Sequence, residues 1–385
     1  MPGLGCSPIG AKLARPRNVW YTEGNSMAIP GYRRALFIRF GGLGDILLAT
    51  PTLRALARAY PNITIDFVVG GGMADALAGH PLVRNVLVFN KRGADARLNN
   101  FVPFLMRLAR EHYDLTVNLH PSAKSFAMAA ASRARTHLTF RKQMGVDAQT
   151  GRVAHATDDF LKELRPLGIG ETQDRHLDFY VPAEARGALE ALLRACGVRP
   201  EERLLVINPA ASRPLNRWPL ARFAQVAARF AGRPNVRVII TGAPSSFQTV
   251  MDGLDEISLA QNVAQADSRI LNLAGRLSVK EFGALLLRAS AFLTCDTGPM
   301  HIASALDTPM VVLSGAADPD RTGPLNANSA ILIDRALPCV PCRDRVCRRG
   351  DVKCMDDLSV AQVTTALDAM LAGRTREPRV ALPMF

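Results

Sequence analysis

Short apolar runs that end at glycines alternate with longer segments whose apolar residues recur at helical spacing. RRALFIRF (33–40) is short, β-rich and closes on a glycine cluster, so it reads as a buried strand. In the segment that follows, Ile46, Ala49, Leu53, Leu56 and Tyr60 fall on one helical face. Pro51 either kinks that helix or lets it restart with Thr50 as its cap. The pattern predicts strands over 63–70, 83–89 and 114–120, with helices over 101–112 and 124–132. The rhythm breaks over 168–202, where a helix is expected from about 183 to 196. It then resumes with strands over 202–209, 236–244, 291–298 and 309–315. Helices are expected over 219–231, near 245–255, and over 278–290 and 299–306. Strands alternating with helices imply parallel, doubly wound sheets.

A chain of 385 residues exceeds what one hydrophobic core comfortably serves. The expected organisation is a disordered leader (1–30), an N-terminal domain (31–182), a linker region (183–201), a C-terminal domain (202–373) and a tail (374–385). Translation from Met1 and from Met27 are both open. No run approaches the roughly 20 apolar residues of a spanning helix, and the N-terminus does not read as a signal peptide. Three of the seven cysteines (Cys6, Cys196, Cys295) are isolated and four cluster near the end, which points to a reducing compartment. The net charge of +13 attracts anions without choosing among nucleic acid, lipid and phosphorylated sugar.

Three strand-to-helix turns carry candidate chemistry. Gly41-Gly42-Leu43-Gly44-Asp45 lets the backbone approach a ligand, but its spacing is not that of a dinucleotide fingerprint. Asp45 would repel a pyrophosphate; it is either a general base for a sugar hydroxyl or simply an acid at a helix N-terminus. TCDTGPMHIASAL (294–306) offers the N–H groups of Thr297 and Gly298 as a phosphate cradle, with Pro299 suited to the first helical turn. His301, one turn in, faces the cleft or is a packed histidine, and Asp296 is open to the reading of a cap or turn residue. NPAASRPLNRWP (208–219) places Ser212, Arg213 and Arg217 before another helix, as suits a diphosphate. His120 and Lys124 lie at a further strand end of the first half and are acceptor-side candidates by position, as are Gly42 and Gly44.

IRFGGLGDILLATPTLRAL, INPAASRPLNRWP, NLAGRLSVKEFGALLLRASAFLTCDTGPMHIASAL and CVPCRDRVCRRGDVKCM together resemble glycosyltransferase family 9, the ADP-heptose:lipopolysaccharide heptosyltransferases and their relatives, over roughly 33–365. The resemblance implies a GT-B fold, two Rossmann-like domains facing across a cleft. It also implies inverting transfer that needs no metal, from a nucleotide-sugar donor (ADP-linked) to an anionic, lipid-linked glycan. Asp45 matches the family's base. Arg217 stands where a basic residue, commonly Lys, contacts the diphosphate; Ser212, Thr297 and Gly298 match its other phosphate contacts, and His301 the histidine of the motif. Family members often hold the ribose with an acid after the GAP-type turn. Here that turn offers Ser245 and Ser246, leaving Gly242 and Ser246 as nucleoside contacts.

Asp318-Pro319-Asp320 has the form of a metal-binding DxD motif but falls after the last expected strand and reads as loop. Cys339, Cys342, Cys347 and Cys354 have a C-x2-C-x4-C-x6-C spacing that would suit a structural zinc site, or reduced packing thiols, or a redox-labile pair. The basic stretch 133–152 is either a solvated face or a contact for an anionic acceptor or membrane surface. The expected place is the cytoplasm, including the inner face of the inner membrane. Other nucleotide sugars remain open as donors, and so does a non-catalytic basic nucleotide- or nucleic-acid-binding protein. Nucleic acid is not expected as a partner, since no recognised motif for it is found.

Overall fold

Parallel strands buried on both faces need continuous apolar runs, and β1 (Arg34–Arg39) has one in Ala35, Leu36, Phe37 and Ile38, all fully buried. The computed structural model describes residues 31–91, 95, 97–141, 153–170, 172–211, 213–243 and 255–373; the expected leader and tail lie outside them. After β1 come α1 (Leu43–Leu47), α2 (Thr50–Ala59), β2 (Thr64–Val69), β3 (Val83–Val88), α3 (Leu98–Glu111), β4 (Leu115–Asn118), α4 (Ala123–Ala131), β5 (Thr136–Thr139) and α5 (Ala156–Lys162). The five strands pair in the order β3-β2-β1-β4-β5, all parallel.

α6 (Ala183–Ala195) leads into the second sheet. It contains β6 (Arg203–Ile207), β7 (Val236–Ile240), β8 (Leu271–Asn272), β9 (Ala289–Cys295), β10 (Met310–Ser314) and β11 (Ser329–Ile333). Their order is β11-β10-β9-β6-β7-β8, again all parallel. Around it lie α7 (Leu220–Ala231), α8 (Glu256–Ala264), α9 (Val279–Arg288), α10 (Gly298–Ala305), α11 (Pro319–Thr322), α12 (Lys353–Asp356) and α13 (Val360–Leu371). Both sheets belong to one compact unit that begins at Tyr32.

Side-chain alternation divides each central strand between two cores. Ala35 and Phe37 join a core that runs on through Leu204, Val206 and Phe292 of the second half. Leu36 and Ile38 face a separate core closed by α3 and α4. Leu205 and Ile207 face a third, covered by α7 and α13. Polar ties add to the shared core. Lys280 Nζ of α9 donates to the carbonyls of Ala78 (2.8 Å) and Tyr180 (2.7 Å), and Arg321 of α11 pairs with the buried Asp159 of α5.

Several elements depart from the sequence pattern. The first helix does break near Pro51, but Ala49 is the cap, and Thr50 is the first helical residue. The Asp318 segment is not a loop after the last strand: Asp318 caps α11 and β11 follows. β5, in the basic stretch, and α5, α8 and α13 were not legible from periodicity. Of the helix expected near 245–255, residues 245–254 lie outside the described residues, and Asp255 is the cap of α8.

Candidate functional site

Parallel α/β sheets bind ligands at the carboxyl ends of their strands, where turns lead into helix N-termini. In the first half that place is the turn between β1 and α1. Asp45 is the third residue of α1, and its Oδ2 accepts the Gly42 N–H at 3.1 Å. Its Oδ1 meets Arg39 Nη2 at 2.6 Å, and the carboxylate is about half exposed. Arg39 is itself fixed, donating to the Leu119 carbonyl at 2.6 Å and lying 4.9 Å over the Phe160 ring. A Cβ on Gly41 would come within 2.5 Å of Asp45 Oδ2, so the glycine leaves room for the carboxylate to fold back. Arg39 was missed as a site residue because it sits in a strand, although it lies inside the motif that carries the resemblance.

His120 follows β4 and stacks edge-on against Phe40 at 5.6 Å. Burial, with the charges of Lys91 and Arg39, pulls its imidazole down to about 4, so it is neutral near pH 7. Lys124 Nζ donates to the Lys91 carbonyl at 2.6 Å. Asp45, His120 and Lys124 therefore lie at the mouth of one sheet, on turns after β1 and β4.

In the second half β9 ends at Cys295, and Thr297 caps α10 in extended conformation with Pro299 in the first turn. No acid occupies that first turn. Asp296, between strand and cap, is partly buried; its carboxyl is pushed up to about 6 by desolvation, against Thr322 and Arg213, with Asp318 adding to the rise. Trp218 is fully buried and donates to the Leu358 carbonyl at 2.9 Å, anchoring the loop that carries both arginines. Arg213 lies within electrostatic reach of Asp296, whereas Arg217 acts on Cys295 and lines a groove with Trp218, Leu259 and Met355. Ser212 and Ser246 lie outside the described residues.

The two mouths touch. A Cβ on Gly44 would overlap the His301 ring, and one on Gly298 would sit 3.5 Å from Leu43 Cβ. Gly44 thus lets α1 and α10 pack N-terminus against N-terminus, while the Gly298 position would accept a Cβ at ordinary contact distance. His301 is nearly fully buried there; desolvation pulls its imidazole down to about 4, against the charge of Asp45. Its Nδ1 is buried and meets no hydrogen-bond partner among the described residues.

An acid from the following helix stands beside the turn after β7. Glu256, the first residue of α8, reaches back so that its Oε2 accepts the Ala243 N–H at 2.8 Å, and burial raises its carboxyl above the usual range. The Gly242 carbonyl accepts the Gly275 N–H at 3.1 Å, and a Cβ on Gly242 would press on the Glu256 backbone. Asp255-Glu256 at a helix start was the available signal, but its return to Gly242 is a feature of the fold.

Cys339, Cys342, Cys347 and Cys354 line one small cavity of about 40 Å³ with Leu215, Val340 and Val352. Burial and the neighbouring thiols push Cys354 up to about 11. Among the described residues no three His, Cys, Asp or Glu side chains are placed to hold a metal ion. Asp318 serves structure, pairing with Arg343 and capping α11. No helix among the described residues is long and apolar enough to cross a membrane.

Comparison with known proteins matches this architecture. The chain is 27% identical over 348 residues to a lipopolysaccharide heptosyltransferase 3 of Escherichia coli, covering 86% of this chain and 97% of that protein. It superposes on a family 9 glycosyltransferase of Veillonella parvula with a TM-score of 0.75 at 25% identity, covering 91% of this chain and all of that one. An E. coli ADP-heptose lipopolysaccharide heptosyltransferase II shares the fold at a TM-score of 0.70 and 18% identity, covering 88% and 99% of the two chains. These neighbours have the GT-B fold. The model of glycosyltransferase family 9 (heptosyltransferase) matches residues 102–353, and the chain belongs to that family of glycosyltransferases.

Proposed function

We propose that this enzyme transfers a heptose from ADP-heptose to a sugar hydroxyl of a lipopolysaccharide core, in one displacement that inverts the anomeric carbon. The observation that carries the reading is the apposition of α1 and α10, with Gly44-Asp45 set against Gly298 and His301. A base from one half and an anion cradle from the other then flank a single reacting centre. The names of the relatives support heptose, an ADP-linked donor and a lipopolysaccharide acceptor.

In this mechanism Asp45 takes the proton of the acceptor hydroxyl as its oxygen bonds to the anomeric carbon. The bond from that carbon to the diphosphate oxygen breaks, and its electron pair leaves with ADP. The backbone N–H groups at the start of α10, with the loop arginines, meet the developing negative charge. Arg39 positions Asp45 and does not touch substrate. Glu256 and Gly242 hold the ribose and nucleoside, with Thr297 on the diphosphate. His120 and Lys124 line the acceptor side, and the neutral His301 supports the contact between the two turns. No metal enters this scheme.

The test is transfer measured with purified ADP-heptose and a heptose-deficient core acceptor, with EDTA present. ADP is expected to raise the melting temperature by mass action, more than UDP or GDP does. Turnover that needs an added divalent ion, or preference for another nucleotide, would overturn the respective part.

A further inference from the structure

Helix α3 is apolar on two sides, and the fold uses only one of them. Phe101, Phe104, Leu105 and Leu108 face the sheet, where Phe101 and Phe104 lie 5.3 and 5.1 Å from the Phe89 ring. On the outer side Leu98, Val102 and Met106 recur every fourth residue and are 77%, 48% and 51% exposed. A surface helix needs one apolar stripe for its core, and the second is left facing solvent. Phe126 of the adjoining α4 and Val88 at the end of β3 are exposed as well. Thus five of the eight large apolar side chains exposed among the described residues belong to β3, α3 and α4; the others, Tyr180, Leu287 and Val346, are elsewhere in the chain.

The charge beside the stripe has one sign. Arg97, Arg107 and Arg110 are exposed on α3 or at its cap, and the helix's single acid, Glu111, is engaged by Arg84 at 2.7 Å. An apolar stripe bordered by arginines suits the boundary between anionic headgroups and acyl chains. The position also fits. α3 follows β3, so its first residue, Leu98, lies toward the carboxyl end of the first sheet, the end that carries Asp45 and His120. Lys124 bonds the Lys91 carbonyl in the loop leading to that rim.

We infer that the outer face of α3, with Phe126, docks on an anionic lipid bilayer and brings the acceptor mouth to a lipid-anchored glycan. The inference rests on the proposed lipopolysaccharide acceptor. It assigns the membrane contact to α3 in place of the basic stretch 133–152, whose described part is the edge strand β5 and its flanks.

The test is co-sedimentation with vesicles of phosphatidylcholine, with and without phosphatidylglycerol. The full chain is compared with Leu98→Glu/Val102→Glu/Met106→Glu and with Arg107→Gln/Arg110→Gln. The wild type should bind the anionic vesicles, the triple variant at least about tenfold more weakly, and the arginine variant with a reduced salt dependence. Both variants should melt like the wild type and transfer to a deacylated, water-soluble acceptor at the wild-type rate, while the triple variant loses transfer to vesicle-embedded acceptor. Equal vesicle binding by the triple variant, or none by the wild type, overturns the inference. So does a wild-type dimer that the triple variant splits into monomers, because the face is then an interface between copies. ADP binding on the same preparations reports on the donor reading separately.

Discussion

The turn after β1 and the turn after β9 share a plan: a central strand, small residues, and a helix whose first N–H groups point into the mouth. At α1 one of those groups is already used, since Gly42 N–H is bonded to Asp45 and the acid sits in the first turn. At α10 the first turn carries no acid, and its cap Thr297 makes no side-chain bond to the helix. A helix end that has taken up its own carboxylate has little left for a phosphate, while one without an acid keeps its partial positive charge available. On the proposed mechanism the same local device serves a base in one half and an anion in the other, and the charge of one side chain decides which.

Removing that charge is the most severe break. Asp45→Asn should lower kcat by about 10²–10⁴-fold and leave ADP affinity and melting temperature close to wild type, as measured by steady-state kinetics and thermal shift. Next in size is the contact between the turns. Gly44→Ala places a methyl group in the His301 ring, and should cost about 1–3 kcal/mol in denaturant unfolding, with a fall in turnover. His301→Ala in the same chain should restore much of that stability, a coupling that a double-mutant cycle reads directly. On the donor side, Glu256→Gln should weaken ADP by about tenfold in calorimetry, with kcat at saturation little changed.

The smallest effect concerns Asp296. Its carboxyl is raised from 3.8 to about 6, so the folded state holds this proton more tightly than the unfolded chain does. The group's contribution to stability therefore falls as pH rises from about 4 through 6 and stays low above that. Asp296→Asn should raise the melting temperature at pH 7.5 by about a few degrees, and by almost nothing near pH 4.

The central strands were legible because β1 and β6 are apolar on both faces, and β2, β4 and β9, although they carry polar residues such as Asp66, Thr116 and Asn118, are short runs buried along nearly their whole length. β5 was not: Thr136–Thr139 is a four-residue edge strand with only Leu138 buried, inside a stretch dominated by charge. α5, ATDDFLK, hides its burial because Thr157 and Asp159 are buried through bonds to the Leu48 carbonyl and to Arg321. The site followed the same rule. Asp45, Thr297, Gly298 and His301 lie in contiguous strand-to-helix motifs, so spacing was enough to propose them. Arg39 depends on a side-chain pair across a turn, and Glu256 on α8 folding back over β7. Neither relation exists until the chain is packed.

The division of labour between the two turns is tested most directly by the product itself. A single turnover with ADP-heptose and core acceptor, followed by NMR assignment of the new linkage, reads the anomeric configuration. Attack from the Asp45 side on a donor held at α10 predicts a configuration opposite to that of the donor, made by the wild type and lost in Asp45→Asn. A retained configuration, or full product from Asp45→Asn, would contradict it.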